Sequence, residues 1–421
     1  IQNKIMGVLL TTLIITYFSF LFVRKVPHVG RDYFDFGLIF ITPVLLMLCY
    51  LAAAYAIDID LTQFKKWDLF TDKENVSDMI YLYLFYVLIY SISYCILANY
   101  KSSARVKIDF KLNKSFIFIS YILLSVLFFT FFASSSSNID FSSIGGFYGQ
   151  LKNIFSRFYL VSSALFFFII FINYKDPRKA FYMLVAFIVL FTIISFIYTH
   201  SRGSLVMIII AASLLDTIRW RGSIITKIDF ITLILGGAFI FSLFNFVEAW
   251  YLGSFNYYFF MQLYEYRPIQ TTLEIVQSVD NGDIPLRYGS TYMDSIVGLI
   301  PSQIRPYEIQ PLSIFYAKTF YLDAYNIGWA AAFSGVAEGY MNFKYAGVAI
   351  QAFIYAFISV IIRNVRYSYG VFGAIFYSIS LPLAYKMTRG DLSYVVHNIF
   401  WSVIVVFLFL LFYKIIKNIK C

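Results

Sequence analysis

Long apolar runs, interrupted by short polar and basic turns, dominate the chain. A helix needs about 20 predominantly apolar residues to cross the hydrocarbon core of a bilayer. Runs of that kind occur at 5–23, 36–57, 79–98, 116–133, 158–173, 180–198, 204–218, 229–248, 344–362, 370–388 and 396–413, which predicts eleven spans, within a range of 10–12. The first run lacks a small-residue cleavage site after Val23 and reads as an anchor rather than a signal peptide. The fold class expected is all-α, a single polytopic transmembrane domain over 1–421.

One connection is unlike the rest. Residues 249–327 contain no spanning run, and 328–343 is half-apolar and glycine-rich, so 249–343 reads as one long loop with interfacial or re-entrant segments. Loops of this length inside a compact chain are usually functional. Within it, the apolar spacing of Arg-Pro-Ile-Gln-Thr-Thr-Leu-Glu-Ile-Val (267–276) predicts a helix lying at the membrane interface.

Composition agrees with a membrane protein: of 421 residues, 60% are hydrophobic and only 13% charged. A soluble protein carries about 25% charged residues, so a soluble enzyme, a disordered chain and a disulfide scaffold are excluded. The net charge of +10 would suit a nucleic-acid partner if it were spread evenly. It is not. The segments after the first, third, fifth, seventh, ninth and last spans collect 19 basic and 6 acidic residues, including Arg24, Lys25, Lys101, Lys179, Arg219, Arg363, Arg366 and Lys414. Cytoplasmic loops are enriched in Lys and Arg, so that face and the C-terminus are expected to be cytoplasmic and the long loop extracytoplasmic. The basic balance therefore reports topology, with no nucleic acid implied. Cys49, Cys95 and Cys421 follow no metal or redox spacing, and the scattered His28, His200 and His397 give no zinc pattern.

Among the arginines on the acidic side, against the usual bias, five stand in the long loop or next to predicted span ends: Arg202, Arg267, Arg287, Arg305 and Arg389. Arg202 and Arg389 each precede a glycine in a tight turn between spans. A guanidinium offers five donors in a planar fork that matches phosphate. Each arginine alone has an ordinary alternative, reaching to the interface or pairing with an acid such as Glu248 or Asp391. Their convergence beside the long loop points to an anionic, phosphate-bearing substrate. Glu338 stands in Ala-Glu-Gly-Tyr-Met-Asn-Phe (337–343), an apolar setting for a carboxylate. Two readings are open for it: an ion pair with Arg202 or Arg389, or a general base.

Three passages resemble the bacterial O-antigen polymerases of the Wzy type: Ser-Arg-Gly-Ser-Leu-Val at 201–206, the loop from Arg267 through Pro285, Tyr288, Gly289 and Pro301, and 337–343 followed by Gly347. Arg287 and Gly298 also show an arginine–glycine spacing described for loops of such polymerases. The resemblance covers roughly 180–400. It implies a helical fold like that of the GT-C glycosyltransferases, an active site facing the periplasm across the inner membrane, and undecaprenyl-diphosphate-linked repeat units as substrate. It further implies a metal-independent, cofactor-free transfer, with a chain-length regulator and a flippase as partners. Glu338 would be the base, with His200 and Asp391 in reserve. Arg202 and Arg389 would act at the leaving diphosphate, and Arg267, Arg287, Arg305, Tyr340 and Asn342 would bind diphosphate or glycan. An O-antigen ligase is the nearest alternative, although neither His200-Ser201 nor His397-Asn398 is followed by the glycines that ligases show. A flippase is the more distant one.

Overall fold

The computed structural model describes residues 2–25, 35–57, 73–100, parts of 160–189, 206–218, 267–326 and 332–419. Among the described residues the chain is helical throughout, with no strand. The predicted spans at 116–133 and 229–248 lie outside them, and those at 158–173 and 180–198 are described only in part.

Four helices come from the first half: α1 (Gln2–Lys25), α2 (Phe36–Ile57), α3 (Lys73–Tyr100) and α4 (Val206–Ile218). The long loop supplies α5 (Arg267–Asp280), α6 (Ser290–Val297), a short 3-10 turn (Ser302–Ile304), α7 (Leu312–Phe320) and α8 (Leu322–Asn326). Then follow α9 (Gly335–Ser368), α10 (Gly370–Met387) and α11 (Leu392–Ile419). Gly7–Lys25, Asn75–Asn99 and Gly335–Arg366 are long and apolar enough to cross a membrane; Phe36–Cys49 and Leu392–Leu408 are shorter apolar stretches.

α3 is the central post, packed against α1, α2 and α9. Its buried face carries Tyr83, Tyr90 and Tyr94, spaced seven and four residues apart so that they share one side of the helix. Each hydroxyl finds a different neighbour. Tyr94 donates to Asp35 Oδ1 at the start of α2 (2.6 Å), Tyr90 donates to Ser359 Oγ on α9 (2.9 Å), and Tyr83 meets Thr272 Oγ1 on α5 (2.9 Å). Interhelical hydrogen bonds of this kind contribute about 0.6 kcal/mol each within membranes, so the tyrosines set register more than they add stability. α10 joins the second half, touching α2, α4, α9 and α11.

α9 is two helical arms rather than one rod. Phe343 (φ −144°, ψ 28°) and Lys344 (φ 50°, ψ −135°) leave helical geometry. Residues eight apart in a continuous helix are about 12 Å apart. A Cβ added to Gly339 would instead lie 2.7 Å from Gly347 O, and Gln351 Nε2 reaches Glu338 Oε2 at 3.4 Å. The arm 335–342 therefore doubles back on the arm that follows, with Gly339 against Gly347 where only glycines fit. Residues 345–366 remain as about 33 Å of straight helix, enough to cross a bilayer.

The loop helix predicted at 267–276 is present as α5, but residues 268–275 are buried on every side rather than along one face. Its polar residues are covered by hydroxyls: Thr272 by Tyr83 and Ser334, Glu274 by Tyr316 and Tyr321. An interfacial helix would have left that side to water.

A candidate active site under the long loop

Ser334 caps the short arm, its Oγ accepting from Ala337 N at 3.0 Å, as serine does at helix starts. That places Glu338 just past the first turn, fully buried. Thr291 of α6 donates to Glu338 Oε1 (2.9 Å). Oε2 accepts from Leu392 N (2.7 Å), an amide of the first turn of α11 that has no partner within its own helix. Gln351 donates the third and longest bond. All three donors are neutral. Arg389 is not among them; its Nη1 reaches the Tyr385 hydroxyl at 3.1 Å. Among the described residues the hydrogen bonds to Glu338 come from dipoles, and Arg202, the other partner expected for an ion pair, lies outside them.

α6 is fastened to the arm by backbone and by Asn342. Arg287 N donates to Met341 O (3.0 Å) and Tyr288 N to Asn342 O (3.3 Å). Asn342 Oδ1 accepts from Gly289 N (2.8 Å), while Nδ2 donates to Thr291 Oγ1 (2.6 Å) and Glu338 O (2.9 Å). Tyr288 and Gly289 both take positive φ, which turns the chain sharply into α6. Tyr340 donates to Asp280 at the end of α5 (2.8 Å). Asn342 and Tyr340 thus hold the arm and the loop together.

The arginines divide by what they touch. Arg287 is exposed, its guanidinium 5.0 Å over the Phe315 ring of α7. Arg389 is half-buried in the turn Met387–Asp391, which is tied to the site because Gly390 O accepts from Tyr355 (2.9 Å) and Leu392 N donates to Glu338. Arg305 turns inward and donates to Gly298 O (3.0 Å) and Ile300 O (2.9 and 3.1 Å), the free carbonyls at the end of α6. Arg267 opens α5, whose Thr272 meets Ser334 Oγ at 2.6 Å beside the arm. His200 and Arg202 lie outside the described residues, as do Tyr257, Tyr258 and Trp329, which as aromatics suit a sugar path or the membrane belt.

Asp391 is the N-cap of α11. Its Oδ1 accepts from Tyr394 N (2.8 Å), and the carboxyl also accepts from Leu312 N at the start of α7. Burial pushes this carboxyl above its usual range, against the pull of those amides and of His397. Gly298 explains its place too: a Cβ there would lie 2.9 Å from His397 Cε1 and 2.8 Å from Asp294 O.

Sequence reasoning missed Thr291, Gln351 and the Leu392 amide, which carry no signal of their own. It also missed Glu274 of α5, a second buried carboxylate, which accepts from Tyr316, from Tyr321 (2.6 Å) and from Gln270 (2.9 Å). A glutamate inside an amphipathic loop helix was the available clue. Among the described residues no three His, Cys, Asp or Glu side chains stand together as a metal cage.

A helical bundle with spanning helices and a buried carboxylate held by neutral donors defines a class: an integral membrane protein. The family model for the O-antigen polysaccharide polymerase Wzy matches residues 1–419, and the chain belongs to that family. No curated protein and no solved structure matches it. Membership makes the protein a glycosyltransferase-type polymerase of O-antigen repeat units, working in a membrane.

Proposed function

We propose that the protein joins undecaprenyl-diphosphate-linked repeat units at the outer face of the bacterial inner membrane, with about eleven spans, a GT-C-like helical fold and a cytoplasmic C-terminus. The observation that supports this reading is Glu338, buried under the long loop and bonded, among the described residues, to neutral donors. Buried ionisable groups with specific hydrogen-bond partners are frequent acid–base residues.

The acceptor hydroxyl of one repeat unit attacks the anomeric carbon of the glycan carried by the other. The carbon–oxygen bond to the diphosphate breaks, and undecaprenyl diphosphate leaves with its electron pair. Glu338 takes the hydroxyl proton, which the acceptor brings into the place of the long Gln351 contact. A leaving diphosphate needs no proton if cations meet its growing charge; in this reading Arg389 and Arg202 do so, and Arg287 and Arg267 bind the diphosphate or glycan. Arg305 fixes the end of α6. Tyr340 and Asn342 hold the base in position. No metal is required. A flippase would supply the substrate, and a chain-length regulator would set when growth stops.

Purified protein given one lipid-linked repeat unit as its sole substrate should produce a ladder of longer glycans. Transfer that appears only after lipid A is added identifies a ligase instead. Movement of the lipid across vesicles with no new bond identifies a transporter.

A further inference from the structure

α6 is folded inside out for a helix in water. Its buried residues are Thr291 and Ser295, while Met293 is 57% and Ile296 61% exposed. A helix on a soluble surface turns its apolar stripe to the core and its polar side outward. The pattern continues beyond the helix, with Ile300 exposed and Ile304 74% exposed. Single exposed apolar side chains are ordinary, but a consecutive run of them is not.

Charge marks the limits of this segment. From Tyr288 to Ile304 the only charged residue is Asp294, and its Oδ1 accepts from the Tyr307 hydroxyl at 3.0 Å. On either side charge returns at once, with Asp280, Asp283 and Arg287 before it and Arg305 and Glu308 after it. Exposed Tyr288 and Tyr307 stand at the two ends, where aromatic rings with one polar end suit a membrane boundary.

Packing gives the depth. α6 lies against α11, and Gly298 sits on His397. His397 is five residues into α11, about 7 Å along its axis. Helices in the headgroup–acyl boundary sink about 5–10 Å. Further along α11, Val403, Phe407 and Leu408 are exposed apolar side chains too.

We propose that Tyr288–Ile304 is seated in the apolar boundary of the bilayer, with Met293, Ile296, Ile300 and Ile304 against lipid acyl chains. A single helix then separates Glu338 from lipid, and the site opens sideways into the membrane, where a lipid-borne substrate travels. The seating of α6 does not depend on the polymerase reading, and a failure of one leaves the other standing.

The test uses the full chain in lipid vesicles, with Cys49, Cys95 and Cys421 replaced by serine and nitroxide labels placed by Met293→Cys, Ile296→Cys and Ile304→Cys. Asn281→Cys in the exposed turn and Phe407→Cys on α11 are the water and lipid references. Labels at all three loop positions should collide with oxygen far more than with a water-soluble nickel chelate, as at 407, and should resist aqueous maleimide by an order of magnitude relative to 281. Nickel collision matching 281 would overturn the proposal in favour of an aqueous loop. Low collision with both probes would overturn it in favour of a protein cover, such as a second copy of the chain. Three positions guard against one variant that does not fold.

Discussion

The two ends of α9 treat buried charge in opposite ways. At the end near Ser368, Arg363 pairs with Asp35 (3.2 Å), which also accepts from Tyr94, and Arg366 pairs with Asp216 (2.9 Å) while lying 4.7 Å over the Tyr377 ring. Each pair ties α9 to a different helix, α2 or α4. At the other end Glu338 is as deeply buried, yet its donors are a threonine, an amide and a glutamine. A buried ion pair adds little net stability, and its main effect is to make each partner dependent on the other. At one end the bundle neutralises a buried charge with its opposite. At the other the described donors carry no charge, which is what the proposed role of Glu338 as a base asks for.

Glu338→Gln breaks this contrast most severely. The amide keeps the size of the side chain and can still accept from Leu392 N, so the fold should survive. Loss of a general base lowers turnover by about 10²- to 10⁴-fold. Single-turnover rates of chain growth, set beside thermal unfolding in detergent, separate the two effects. An unchanged rate makes Glu338 as structural as Asp35.

The opposite end should respond in the opposite currency. Arg363→Met breaks the buried pair with Asp35, a loss of about 3–5 kcal/mol, visible as a lower unfolding temperature. Activity per folded molecule should stay near normal. Adding Asp35→Asn should restore most of the stability, because the buried negative charge is then gone. A double variant as unstable as the single one would mean that the arginine acts through packing, not through its charge.

How much of this was legible in the sequence follows the same division. The runs at 36–57, 344–362, 370–388 and 396–413 appear within helices α2, α9, α10 and α11, because twenty apolar residues in a row leave little choice. Glu338 stood out because a carboxylate among glycine and alanine is costly to keep. Its partners did not, since Thr291, Gln351 and Leu392 are ordinary residues from three separate segments and only the fold brings them together. Arg363 and Arg366 were counted as loop cations on the basic face. They are buried in ion pairs, which a charge count along the chain cannot detect because Asp35 and Asp216 lie 150 residues or more away from their partners. The break at 343–344 coincides with the boundary expected between the half-apolar stretch 328–343 and the span from 344, but nothing along the chain shows that the first arm folds back on the second.

Gly347→Ala tests that reversal, and with it the geometry that presents Glu338. The added methyl meets Gly339 O and the Phe343 Cβ, and overpacking of this kind costs about 1–3 kcal/mol. The arms must part slightly, which lengthens the Gln351 contact first. Both stability and chain growth should fall, unlike either variant above, and Gly339→Ala should behave alike. A stable Gly347→Ala protein with full activity would mean that the arms are not held against each other.

The smallest effect is expected at the tip itself. Lys344 holds φ 50°, a conformation unfavourable for any residue with a Cβ, and its Nζ meets Asp280 Oδ1 at 2.8 Å, with both side chains about half exposed. An exposed pair contributes about 0.2–1 kcal/mol, and relief of the positive φ by glycine is of similar size. Lys344→Gly therefore exchanges one small term for another, and the unfolding temperature should move by no more than a few degrees. Chain growth should be unaffected, since Glu338 is fixed by Thr291, Leu392 and Gln351 and not by the turn. A clear loss of activity at constant stability would add Lys344 to Arg287 and Arg389 as a cation proposed to meet the diphosphate, and the functional end of α9 would then extend to its tip.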